Sequence, residues 1–310
     1  MISKENLIKF SCDQYPEDCN PKILKVINNP KLDDGHVFIE LNKSGMTVLA
    51  HSHKVDQARL QIFTGFMASV IKKFNLNLAF RFILNTYDEP ATGDFPVFSF
   101  CGNEKYQSNI VVPDPHLLSR HMGKTYEDNK DFKTKNSSII FRGSDTGNFP
   151  IASKNERILA CWETKDKPSI DFKITNFVSY SKQCLDMFGF DIDKISANHL
   201  TLQDQCQHKY IADINGNTMG WDRSCWALGT NSVLVKIQST NISDETWYSK
   251  YMELNHIVPR LLIKEIENFN SIEAEYNINQ QIFNKILLDP ATQEEYLKNI
   301  LIKYESQYNN

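Results

Sequence analysis

The sequence predicts an α/β protein built as two lobes. Apolar strands alternate with amphipathic helices in both halves of the chain, the pattern of sheets covered by helices. At 310 residues there is enough chain for two cores. One glycine-containing turn, in the stretch from His208 to Lys236, sits between two apolar strands and is followed by a short helix. The composition is that of an ordinary globular protein, 41% hydrophobic, 23% charged and 11% aromatic, which needs no metal or disulfide staple to fold.

Taken in order, residues 1–34 are polar and interrupted by Pro16, Pro21 and Pro30. His36 to Glu40 and Met46 to Ala50 flank Asn42-Lys43-Ser44-Gly45, a hairpin pattern. Val55 to Phe74 is an amphipathic helix whose apolar face carries Ile62, Phe63, Phe66, Met67, Val70 and Ile71, with Asp56 in its first turn. Leu78 to Leu84 reads as a buried strand running into a loop with Asp88, and Pro96 to Cys101 as the next strand. Residues 120–136 are charged and aperiodic, and the boundary between lobes is expected there, giving 1–133, 134–290 and a terminal helix 291–310.

The second half opens with the strand Ser138 to Arg142 and a small-residue turn, Gly143-Ser144-Asp145-Thr146-Gly147. Ser153 and Glu156 have capping-box spacing and predict a helix through Trp162. A strand at 170–174, a helix at 180–188, the strand Tyr210 to Ile214, a helix carrying Arg223 and a strand at Val233 to Val235 follow. Beyond them His256 to Pro259 reads as a strand entering a turn. The rest is helical: 260–269, 272–288, and 293–306 behind a second capping box at Thr292 and Glu295.

Two places carry a candidate chemistry. Asp88 lies where a strand ends, and the crevice beyond the carboxyl ends of strands is where open α/β sheets bind ligands. A carboxylate there serves as a base; the bland alternative is an aspartate that ends a strand. Asp94 lies in the loop that follows. Gly216 and Gly220 let backbone approach a ligand, the next helix directs its N–H groups at that loop, and Arg223 adds a forked cation suited to a diphosphate. The alternative is an ordinary strand–turn–helix with a surface arginine.

These segments together resemble glycosyltransferase family 90, which holds lipopolysaccharide- and capsule-modifying sugar transferases and protein O-glucosyl- and O-xylosyltransferases. The likeness rests on Asp88 followed by Pro96-Val97-Phe98-Ser99-Phe100, on Phe141-Arg142-Gly143-Ser144 with Thr146-Gly147, on Lys209-Tyr210 followed by Gly216-Asn217 and an arginine, and on His256-Ile257-Val258-Pro259. It implies a GT-B fold of two Rossmann-like lobes facing a cleft. It also implies metal-independent, inverting transfer from a UDP-sugar, with glucose or xylose as the sugar and no resident cofactor. Asp88 matches the catalytic base; Arg142, Gly143, Ser144, Thr146, Gly216, Asn217, Thr218 and Arg223 match the donor-binding positions. The implied acceptor is a glycan, lipopolysaccharide or surface polysaccharide, or a protein. Two departures stand out. Asp145 replaces the arginine that the protein O-glucosyltransferases carry after the serine, and one extra residue separates Gly216 from Arg223.

Rival readings follow from other residues. Asp191-Ile192-Asp193 or Asp213-Ile214-Asn215 would hold Mn²⁺ in a GT-A type transferase, and His51 with His53 would need a third ligand to hold zinc. A transferase fold without turnover would be a nucleotide-sugar or glycan-binding protein. Neither GxSxG nor GxxxxGK[ST] is present, which argues against a serine hydrolase and a P-loop NTPase. A net charge of −4 argues against nucleic-acid binding. Seven scattered cysteines without a CxxC pair, no signal-like apolar core at the N-terminus and no membrane-length apolar run predict a reduced cytoplasmic protein. Basic residues in 120–136 are the candidates for peripheral contact with an anionic membrane.

Overall fold

The computed structural model describes residues 2–16, 19–91, 95–103, 108–121, 128–147, 151–238, 244–272 and 274–310. Asp94 lies outside them. The protein is α/β, and its described strands form two five-stranded sheets, one in each of two compact units, and an antiparallel pair within the first unit. The first unit comprises Met1–Lys124, Ser243–Tyr251 and Ile286–Asn310; the second comprises Thr125–Ile242 and Met252–Lys285. The chain therefore crosses between them four times, unlike the three contiguous ranges expected from sequence.

In chain order the elements are α1 (Lys4–Asp13), α2 (Lys22–Val26), β1 (His36–Asn42), β2 (Gly45–His51), α3 (Gln57–Lys73), β3 (Phe80–Asn85), β4 (Val97–Ser99), β5 (Gly102–Asn103), β6 (Asn109–Val111) and α4 (Pro115–His121). Then come β7 (Asn136–Ser144), α5 (Glu156–Thr164), β8 (Ile170–Asn176), α6 (Lys182–Met187), α7 (Ile192–Ile195), α8 (Leu202–Gln205), β9 (His208–Ile214), α9 (Trp221–Ala227) and β10 (Val233–Ile237). The chain closes with β11 (Asp244–Glu245), α10 (Ser249–Leu254), β12 (Arg260–Leu261), a 3₁₀ segment (Ile263–Ser271), α11 (Glu275–Leu288) and α12 (Pro290–Asn309).

The first unit's sheet has the order β2-β1-β3-β4-β6. The β1–β2 hairpin and the β1–β3 pair are antiparallel, while β3, β4 and β6 run parallel. Asp56, expected within the first turn of a helix from Val55, instead caps α3 from outside, accepting from the Arg59 N–H at 3.0 Å, and the helix starts at Gln57. The terminal helix belongs to this unit for a packing reason. Tyr304 lies edge-on to Phe80 and Phe98 at 4.9 and 5.0 Å, and its hydroxyl donates to the Arg81 carbonyl at 2.8 Å. That helix starts at Pro290 behind Asp289, which accepts from Ala291 N–H at 3.0 Å. Thr292 is fully buried inside it, so the expected cap there is not the helix start.

The second unit's sheet is parallel throughout, in the order β12-β10-β9-β7-β8. Its strands are apolar runs such as Ile139-Ile140-Phe141 and Val233-Leu234-Val235, as a sheet buried on both faces requires. Two details differ from expectation. Asn155, not Ser153, caps α5, accepting from the Arg157 and Ile158 N–H groups at 3.0 and 3.1 Å. His256 takes a left-handed φ of 50° in the turn after α10, and the strand begins only at Arg260. Along β10, Gln280 of α11 supplies what a further strand would. Its side chain accepts from Leu234 N–H at 2.8 Å and donates to Leu234 C=O at 2.9 Å, completing the ladder where β12 does not reach.

Among the described residues, no helix is long and apolar enough to cross a membrane. Of the basic residues in the 120–136 stretch, Lys130 donates to Gln207 at 2.7 Å and Lys135 is buried in an ion pair. Neither is a free surface cation.

Candidate functional site

In the second unit the order β12-β10-β9-β7-β8 reverses direction between β7 and β9. From β7 the chain goes outward to β8, and from β9 it goes the other way to β10 and β12. Such a switch point, at the carboxyl ends of parallel strands, leaves a crevice because the two following connections diverge to opposite sides. The carboxyl end of β7 delivers Arg142, Gly143 and Ser144, and that of β9 delivers Ile214, Asn215 and Gly216. Both sequence segments singled out for a donor site therefore meet at this point.

Arg142 itself turns sideways. Its Nη2 donates to Asp171 Oδ2 at 2.6 Å and its Nη1 to the carbonyls of Phe141 and Asp171 at 2.9 and 2.8 Å. The guanidinium is 8% exposed; its two terminal nitrogens are taken up by β7 and β8, while its Nε is buried without a hydrogen-bond partner among the described residues. What Arg142 contributes toward β9 is its backbone carbonyl, which accepts a hydrogen bond from Arg223 Nη2. Gly143 is required by its neighbour two positions back on the same face: a Cβ there would lie 2.7 Å from Phe141 Cζ.

The residue that sequence reasoning missed is Arg157, in the first turn of α5. Its Nη1 donates to Thr146 Oγ1 at 2.7 Å and to Ser144 C=O at 3.1 Å, and its Nε to Ile214 C=O at 3.2 Å. Ser144 and Thr146 hydroxyls are 3.2 Å apart. A Cβ on Gly216 would sit 2.8 Å from Arg157 Nη2 and 2.9 Å from Thr146 Oγ1, so this glycine is what allows the two turns to close on one another. Arg157 ties the β7 turn to the β9 turn. One signal was available in the sequence. A cation in the first turn of a helix opposes the helix dipole, an unfavourable placement that calls for another use.

Arg157 and Arg223 both lie against the Phe141 ring, with guanidinium carbons 5.6 and 4.8 Å from its centroid. Burial and the charge of Arg223 push Arg157 down to about 10. Burial also lowers Arg223, against the opposing pull of Asp213 and Asp222. Arg223 Nη1 is buried and has no hydrogen-bond partner among the described residues. Two like charges share a low-dielectric site with a donor left over, an arrangement that an anion would relieve. Thr218 is buried, its carbonyl accepting from Gly216 N–H at 2.9 Å, while Asn217 stands partly exposed at the tip of the turn. No side chain caps the first turn of α9.

The acidic pairs have other employment. Lys236 Nζ donates to Asp213 Oδ2 at 2.7 Å and to Asn215 Oδ1, so an ammonium already stands between these two side chains. Asp191 caps α7 by accepting from Asp193 N–H at 3.1 Å. Asp145, whose position beside the donor loop raised a question of charge, is fully buried and points away from it. Its two oxygens accept from the N–H groups of Val178, Ser179 and Tyr180 at 2.7 to 3.2 Å. Among the described residues no cluster of three His, Cys, Asp or Glu side chains is placed to hold a metal, and His51 Nδ1 faces the Ser52 carbonyl at 2.8 Å.

Asp88 belongs to the first unit, in the loop after β3. Arg59 of α3 holds its Oδ1 at 2.5 Å and also donates to Thr86 C=O at 3.1 Å. The Asp88 carbonyl accepts from Cys101 Sγ at 2.8 Å. Asn85 straps the loop from inside, accepting from Tyr87 N–H at 2.9 Å and donating to Glu89 C=O at 2.6 Å. Asn109 clamps its far end through two hydrogen bonds to the Ala91 backbone, both 2.9 Å. Gly35, with φ 82°, lies under Tyr87, and a Cβ there would approach Tyr87 Cγ to 2.6 Å. Gly35→Ala is therefore expected to destabilise the protein by more than about 1 kcal/mol, through strained backbone and a clash beside the ring's root. A denaturation midpoint unchanged from the parent protein would show that the loop yields freely.

Compared with known proteins, the chain matches no family model and has no significant similarity to any curated protein.

Proposed function

We propose that this protein is an inverting, metal-independent glycosyltransferase of GT-B type, working in the cytoplasm. It moves a sugar, glucose or xylose, from a UDP-sugar to a hydroxyl of a glycan or protein acceptor. The observation that carries the reading is the arginine pair at the β7/β9 switch point, where Arg157 and Arg223 share the Phe141 ring and Arg223 keeps a buried donor without a partner among the described residues. A leaving nucleoside diphosphate gains negative charge as the glycosidic bond breaks. Fixed donors in a dry site stabilise that charge without reorganising.

In this reading Arg223, Arg157 and the backbone of Gly216 to Gly220 hold the diphosphate, with Ser144 and Thr146 keeping Arg157 in place. Asp88 takes the proton of the acceptor hydroxyl as that oxygen attacks the anomeric carbon. The carbon–oxygen bond to the diphosphate breaks with its electron pair on UDP, and the configuration inverts in one displacement.

The first test is UDP binding. Saturating UDP, at about a hundred times its Kd, is expected to stabilise the protein by about 2.7 kcal/mol, equally with EDTA present. Arg223→Ala should remove most of that gain. If UDP and GDP both leave the melting curve unmoved, the donor site is misassigned; a gain abolished by EDTA transfers the bet to a metal-dependent enzyme. The second test is turnover. Asp88→Asn is expected to lower kcat by about 10²- to 10⁴-fold with UDP affinity unchanged. The Arg59–Asp88 ion pair favours one other reading, a binding protein without turnover, because it occupies an oxygen that a base would use. Tight UDP-sugar binding with no donor consumed over any acceptor would select it.

A further inference from the structure

A second concave site lies wholly within the first unit, between the carboxyl end of α1, strands β5, β6 and β11, and α12. Its volume is about 570 Å³, inside the range of about 300–1,000 Å³ usual for small-molecule sites. The wall combines two kinds of surface. Trp247 and Tyr296 are stacked at 4.2 Å and 17°, and Tyr296 is locked by donating from its hydroxyl to Val111 C=O at 2.7 Å. Beside them stand hydrogen-bonding groups from Ser11, Asp13, Asn103 and the Glu245–Lys250 ion pair, 3.2 Å apart.

The charges of this wall decide against several ligand classes. Lys250 is the one cation among the described lining residues, and it is already paired with Glu245, so no phosphate or nucleic-acid backbone is recognised here. A lipid tail would not tolerate the carboxylates and amides. Two lining residues are buried with a polar atom left over: Ser11 Oγ and Trp247 Nε1 have no hydrogen-bond partner among the described residues. A buried donor without a partner costs about 1–3 kcal/mol, and such groups mark places where a further partner is expected.

We propose that this cavity binds a neutral, hydroxyl-rich ring, a pyranose residue of a glycan. Such a ring has a rim of hydroxyls that both donate and accept, and C–H edges that suit the narrow apolar strips of Trp247 and Tyr296 left at the wall by their stacking on each other. Ser11, Asp13 and the Trp247 indole N–H match that rim. The assignment stands on the first unit alone and does not depend on the reading of the second. The cavity is also joined to the Asp88 loop. Asn109 lines it while clamping Ala91, and Gly102 lines it next to Cys101, the residue that holds the Asp88 carbonyl. A sugar seated there would bear directly on Asn109, one of the side chains that fix that loop.

Saturation-transfer NMR on the full chain, with the methyl glycosides of glucose, galactose, xylose and N-acetylglucosamine, tests the assignment. At least one is expected to show transfer with a Kd near about 1 mM, the strength of a site with few hydrogen bonds. Trp247→Phe keeps the stacked ring and removes the N–H; it should weaken binding about fivefold, the equivalent of one hydrogen bond. Because Trp247 is buried, Asp13→Asn at the exposed lip is the parallel variant, and it should weaken the same glycoside while the melting temperature holds. No transfer from any of the four sugars would overturn the proposal. So would transfer that UDP abolishes and both variants leave unchanged, since the sugar would then occupy the second unit.

Discussion

Replacing Lys135 by methionine is expected to cost about 3–5 kcal/mol of unfolding free energy, among the largest single effects in this chain. The Lys135 side chain is 0% exposed, and that of its partner Asp128 is 3%. The ammonium donates to Asp128 Oδ2 at 2.5 Å, Cys206 C=O at 2.5 Å and Ser232 Oγ at 2.9 Å, which uses all three of its hydrogens. The same Asp128 oxygen accepts from Asn231 N–H at 2.9 Å. Methionine fills the space but abandons a buried carboxylate, and that unpaired charge is the source of the cost. The double variant Lys135→Met with Asp128→Asn should recover part of the loss. Urea denaturation of the three proteins checks this. A loss below about 1 kcal/mol for Lys135→Met would mean that water reaches the carboxylate and screens it.

The second large effect is expected at Asp145. Three consecutive backbone N–H groups, from Val178 to Tyr180, converge on its carboxylate, a concavity of amides of the kind that captures anions. Here the anion is built into the chain. Hydrogen bonds to a charged group contribute about 1.5–3 kcal/mol each, so Asp145→Ala should cost about 3 kcal/mol or more. Asp145→Asn should fall between, because its amide keeps one accepting oxygen of the two. Hydrogen exchange offers the direct readout: amides 178–180 should lose protection in Asp145→Ala while those of β9 keep theirs. Equal protection in both proteins would show that the loop is held by other contacts.

How far the sequence carried differs between these features. The parallel sheet was legible because buried strands such as Val233-Leu234-Val235 are short apolar runs with turns at both ends. The α3 helix is legible from its helical apolar period, although the reading starts it at Val55 and Asp56 proves to be the cap just before Gln57. Capping residues were harder. Ser153 and Thr292 each have a glutamate three positions on, yet Asn155 and Asp289 do the capping, since spacing does not say which of several polar residues lies at the helix start. At the candidate site, both glycine-containing turns were found, but not what joins them. Arg157 lies in a helix whose periodicity shows only that a polar residue faces outward from the core. Its ties to Ser144, Thr146 and Ile214 are set by the pairing of β7 beside β9, and pairing of strands distant in sequence leaves no local trace. The same holds for Lys236, which could be placed between Asp213 and Asn215 only once β10 was known to lie beside β9. Sequence adjacency places Asp145 beside the donor loop but does not reveal the direction in which a turn residue points.

The route of the chain through its two units has a consequence for synthesis on the ribosome. Every residue of the second unit has been made once Lys285 is in place, but the first unit still lacks α12, whose Tyr304 fills the aromatic centre around Phe80 and Phe98. Domains form as units as their last segment emerges. The half encoded later is thus the one able to mature earlier. The amino-terminal half waits with Phe80 and Phe98 uncovered by that helix, in the interval when a nascent chain has most need of a chaperone.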